Sequence, residues 1–187
     1  MTYPAGILFF LIVFIPSLPA LAGSEAVTGA FGLSFGQVLD SSQREQLGTE
    51  KNGGIEYRFT PDHPYQPLNE YSVFVTPGSR RVYKIQGVGN FHSMKSCRQS
   101  LSDLEAVLEE KYEKTSHKIT ERFGDIPEIS FGKSSGKIHA TCEGIFNNRK
   151  LVLIYVDKAL QEQVKEEKAA ILSPSKGQAA GSDTSGL

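Results

Sequence analysis

Two cysteines constrain this chain more than any other pair of residues, because each sits on the apolar face of a segment with its own period. Around Cys97, apolar side chains recur at Leu101, Leu104, Leu108 and Tyr112, the three- and four-residue spacing of an amphipathic helix. Around Cys142, Ile138, Ala140, Gly144 and Phe146 occupy every second position, the period of a strand buried on one face. A disulfide between Cys97 and Cys142 would join helix to sheet inside a shared core. Two cysteines so far apart in sequence make neither a C-x-x-C redox motif nor a four-ligand zinc site, so the pair reads as a structural crosslink.

Such a crosslink belongs to an oxidising compartment, and the first 22 residues supply the address. MTYPAGILFFLIVFIPSLPALA has an apolar run from Ile7 to Ile15, then Pro16, Pro19 and an A-x-A pair at Ala20 and Ala22. This is the pattern of a secretory signal peptide cleaved after Ala22. Its n-region departs from the usual one in carrying no Lys or Arg. The run is about half the ~20 residues a helix needs to cross a bilayer. The expectation is a periplasmic or secreted protein with no membrane insertion after cleavage. The residue directly after the cleavage site is Gly23 and not a cysteine, which argues against an acylated lipoprotein.

Residues 23–172 are expected to form a single α+β domain, a size that supports one core. Residues 173–187, SPSKGQAAGSDTSGL, lack the hydrophobes to order themselves and read as a disordered tail. With 20 basic and 21 acidic side chains, the net charge is -1. That balance gives no electrostatic draw toward nucleic acid or an anionic membrane.

Periodicity predicts the elements in turn. A short helix is expected over Gly36–Gln46, although Val38 and Leu39 are its only strong apolar residues. Ile55, Tyr57 and Phe59 alternate as a strand, stopped by Pro61. Tyr71, Val73 and Val75 alternate again, and Pro77-Gly78 turns the chain into a partner strand over Val82–Ile85. Asn90 and Ser93 offer caps for the Cys97 helix, with a break near Ser116. Ile129 and Phe131, then Ile138 to Phe146, then Leu151 to Val156 read as strands. Asp157 caps a last helix with Leu160, Val164 and Ile171 on its stripe. The order suggests an antiparallel sheet with helices packed on it, arranged as two helix-plus-three-strand units.

Several motifs touch on chemistry. Gly32-Leu33-Ser34-Phe35-Gly36 matches G-x-S-x-G, the strand-to-helix turn that exposes a nucleophilic serine. A small secreted serine hydrolase would use Ser34 with Asp157 or Asp125 and His139 or His117, but the segment before Ser34 is too short for the preceding strands. Gly87-Val88-Gly89-Asn90-Phe91-His92 approximates a dinucleotide fingerprint, with His92 in place of the third glycine and a hairpin strand ahead of it. It reads instead as a flexible strand exit, and no cofactor is expected. His63, His92, His117 and His139 form no i, i+4 pair. His139 and Glu143 would stand about 13 Å apart along one strand, and His117 would meet Glu121 only in a helix running past Ser116, so no metal site is expected.

What is left is display. Pro61, Pro64 and Pro67 stiffen a loop that would hold His63 and Tyr65 out to a partner. Arg80 and Arg81, with Lys84, form a basic cluster beside the hairpin turn. No grouping joins a nucleophile, a base and an orienting group. The expectation is a non-catalytic binding module acting through its sheet face or the 61–67 loop, with another exported protein as partner.

Overall fold

A computed structural model describes residues 25–42, 44–120, 126–145 and 148–173. The expected leader and cleavage site, Glu121, Asp125, Phe146 and the expected tail beyond Ser173 lie outside the described residues.

The fold begins with a small hairpin, β1 (Gly29–Ala30) and β2 (Leu33–Ser34). An antiparallel meander follows: β3 (Gln46–Thr49), β4 (Ile55–Arg58), β5 (Glu70–Val75) and β6 (Val82–Phe91). After α1 (Met94–Glu109) comes a second meander of β7 (Lys114–Thr120), β8 (Ile126–Phe131), β9 (Gly136–Ile145) and β10 (Asn148–Asp157), closed by α2 (Lys158–Leu172). The meanders merge into one eight-stranded sheet ordered β3-β4-β5-β6-β10-β9-β8-β7. Its centre is the antiparallel β6–β10 ladder, running from Arg149 opposite Phe91 to Val156 opposite Lys84. Each half is thus four strands followed by a helix, rather than a helix followed by three strands.

The alternation that marks the strands also divides the two faces. Val73, Val75, Ile85, Ile129, Phe131, Ile138, Leu151 and Leu153 belong to the main core cluster, together with Cys97, Leu101, Leu104 and Leu108 of α1. Phe74 and Tyr83 instead cluster with Val164 of α2, with Leu160 packed against them. Val73 and Phe74 are neighbours in β5 and point to opposite faces, so the two helices lie on opposite sides of the sheet. Ser93 caps α1, accepting from the Ser96 N–H at 3.1 Å. The Asp157 Oδ1 caps α2, accepting from Ala159 and Leu160 at 2.9 and 3.0 Å. The disulfide joins Cys97 on α1 to Cys142 on β9, with a Cα–Cα distance of 6.0 Å.

Three expectations are corrected. The segment 36–46 forms no helix among its described residues: Val38 makes an isolated bridge to Arg81, and Asp40 Oδ1 accepts from both the N–H and the hydroxyl of Ser42. Local bonds of this kind compete with helix formation, and two apolar residues cannot outweigh them. Helix α1 ends at Glu109, and the positions expected to reach the break near Ser116 enter β7 instead, where β-branched Thr115, Ile119 and Thr120 favour a strand. The 87–91 segment is no strand exit; it lies inside β6.

Candidate functional site

The residues singled out from the sequence do not converge. Ser34 is exposed in β2, and the G-x-S-x-G span forms a hairpin rather than a strand-to-helix turn, with Gly32 and Gly36 at φ of 83° and 79°. Its backbone N–H donates to Gln37 Oε1 at 3.0 Å. The candidate partners are engaged elsewhere. Asp157 caps α2 and accepts from the Ser135 hydroxyl at 3.0 Å, while His117 bonds Glu105 at 2.9 Å. His139 meets Ser130 Oγ at 3.5 Å and Glu128 Oε1 at 3.6 Å, both through Nδ1. A serine–histidine relay needs the hydroxyl and the acid on different ring nitrogens, so this cluster is not one.

The proline-rich loop folds inward more than its composition suggests. The Tyr71 hydroxyl accepts from the Tyr65 N–H at 2.9 Å and donates to the Tyr65 carbonyl at 3.2 Å, tying the loop to β5. The Tyr65 ring is half-buried against the main core. Burial, with the Asp103 carboxylate on α1 adding to it, pushes its phenol up from the usual range. His63 is exposed.

The basic cluster is dispersed. Arg80, at φ 58°, places its guanidinium 5.5 Å from the Tyr57 ring centroid and donates to Ser41 Oγ at 3.1 Å. Arg81 reaches the Gly36 carbonyl at 2.8 Å. Lys84 pairs with Glu50 and lies over the Phe74 ring. Glu50 also accepts from the Tyr83 hydroxyl. Partial burial raises the Glu50 pKa, but hydrogen bonds from Lys84 and Tyr83 outweigh it and hold the carboxyl below its ordinary range.

One concave surface lies at residues that periodicity does not single out. A groove of about 220 Å³ runs between α1 and the β7–β8 edge, lined by Arg98, Leu101, Ser102, Glu105, His117, Ile119 and Pro127. Its floor is apolar: Leu101 is buried in the helix stripe and Ile119 is 59% exposed on the strand. Its polar end is a fixed network. Glu105 accepts from Lys114 at 2.5 Å and bonds His117, and Lys114 also reaches Glu109 at 2.8 Å. Partial burial raises the Glu105 pKa, but Lys114 and His117 more than offset it, so the carboxyl is held below its ordinary range. The Lys114 ammonium is raised by Glu105 and Glu109.

Beside the groove runs an open edge. In the eight-stranded order β7 is terminal and pairs only with β8 among the described residues. Periodicity does not find this site because it places Ile119 beyond the break near Ser116 with no element of its own, whereas the groove requires it in a strand facing α1. No three His, Cys, Asp or Glu side chains gather to hold a metal ion among the described residues. No helix there is long and apolar enough to cross a membrane. No protein-family model, curated protein or solved structure significantly matches the chain.

Proposed function

We propose that the chain is an exported, non-catalytic binding module that receives part of another exported protein in the groove between α1 and β7. The observation carrying this reading is the juxtaposition of an apolar slot with a strand edge that has no pairing partner among the described residues, a combination suited to polypeptide recognition. Leu101, Ile119 and Pro127 offer apolar contact, and the Glu105–Lys114–His117 network fixes the slot's polar end. A rigid polar rim around an apolar floor gives orientation without chemistry. The disulfide and the leader together support an oxidising compartment outside the cytoplasm.

Photocrosslinking in the producing cell tests this. A photoreactive residue at Ile119 should give one discrete adduct with an exported polypeptide. The same residue at Val38, exposed on the other half of the molecule, should not. Equal adducts at both positions, or none at Ile119, would remove the groove from the function.

A further inference from the structure

Resting on that reading, we infer that the groove's occupant is an extended partner segment of alternating aliphatic and acidic residues, added to β7 as a further strand of the sheet. Three observations converge on it.

The first is the contrast between the two sheet edges. Strand β3 has four residues and a register shift between Gln46 and Gly48, a short and irregular edge that discourages pairing. Strand β7 has seven residues; it too has a register shift, between Lys114 and Ser116 at its start, but five residues from Ser116 to Thr120 then run in regular register. Its outward N–H and C=O groups are a template for one more strand.

The second is where the edge lysines go. Lysine on an edge strand ordinarily guards against pairing, but Lys114 is folded back onto Glu105 and Glu109 of α1. The guard at that end of the strand is withdrawn. Lys118 remains, on the face opposite His117 and Ile119 by the alternation of the strand. The carboxylate across the ladder from it, Glu128, lies 3.6 Å from His139.

The third is charge. Strand β7 reads KTSHKIT, with two lysines and no carboxylate. A second copy pairing edge to edge would bring no carboxylate from its own strand to Lys118. A complementary segment instead carries Asp or Glu alongside Lys118. Its neighbouring residues then fall on the α1 side, where Ile119, Leu101 and Pro127 offer an apolar slot. Side chains of an added strand alternate between faces, so the recognised pattern is acid, aliphatic, acid, aliphatic.

The test uses the disulfide-intact protein and a fluorescent peptide of about nine residues, within ordinary strand length, with alternating valine and glutamate. A valine and lysine peptide of the same length is the comparison, and anisotropy is the readout. The glutamate peptide should bind about tenfold tighter, and Lys118→Glu should reverse that preference. N-methylation of alternate peptide amides, in the register that faces β7, should abolish binding. Ile119→Asp, at an exposed position that leaves the core intact, should weaken both peptides. An unchanged preference in Lys118→Glu, or indifference to N-methylation in both registers, would overturn strand addition. A concentration-dependent dimer that excludes the peptide would overturn it in favour of a second copy. A positive crosslink at Ile119 alongside either result would leave the groove's role standing, whereas an absent crosslink removes both.

Discussion

Glu167 carries a structural role that no local signal announces. From α2 its Oε2 accepts from the Gly78 and Ser79 N–H groups at 2.7 and 3.0 Å, and its Oε1 accepts from the Ser79 hydroxyl at 2.6 Å. The carboxylate thereby clamps the β5–β6 turn to the helix. Partial burial raises its pKa, but the bonds from Ser79 and Gly78 outweigh it and hold the acid below its ordinary value. Because the folded pKa is depressed, the folded state binds fewer protons than the unfolded one around an unfolded value of about 4.3. The clamp's stabilisation is therefore full above that pH and is lost as pH falls through the folded value. Glu167→Gln should lower stability at neutral pH by about 1 kcal/mol and flatten the acid limb of a urea-midpoint profile. Part of the limb should remain, since Glu50 and Glu105 are depressed in the same sense. An acid limb as steep as the parent's would show that the clamp contributes nothing. Asp157, by contrast, was legible in the sequence, because a helix cap bonds residues two and three positions away. Glu167 reaches 88 and 89 positions back, and no spacing rule finds that.

At the scale of elements, the hairpin around Pro77-Gly78 and the last helix follow directly from pattern and cap. Strand β6 does not, and its glycines explain why. A Cβ on Gly89 would come within 2.0 Å of the Pro67 carbonyl oxygen, because the chain leaving the proline-rich loop crosses the strand there. The Asn69 N–H donates to the Val88 carbonyl at 2.9 Å in the same crossing. Glycine in a strand marks such a close approach of backbone, yet in sequence it reads as a break. Gly89→Ala should cost about 1–3 kcal/mol, the usual range for overpacking, and should shift the amide resonances of residues 65–69. Normal stability would show that the loop can lift away without penalty. Strand β7 is not legible for the complementary reason: Ile119 keeps the spacing of the α1 stripe and so shows no strand period of its own, and only the ladder to β8 shows that the period has changed.

Over the whole molecule, the disulfide crosses between the halves, since α1 follows the first meander and β9 belongs to the second. Both cysteines are fully buried in the main core. Replacing both with alanine should lower stability by about 4 kcal/mol on the loop-entropy treatment, with native strain reducing the figure. Calorimetry of parent and variant, each under non-reducing conditions, measures the difference. Equal melting temperatures would show that the β6–β10 ladder alone holds the halves. The pairing itself was legible in the sequence, because each cysteine lay on an apolar face; the order of the strands was not, because two local meanders can merge along more than one edge. The crosslink also alters what a protease can achieve. A single cut between Cys97 and Cys142, anywhere through β7, β8 or the first part of β9, leaves two fragments still covalently joined. A nicked molecule therefore stays in one piece until its disulfide is reduced.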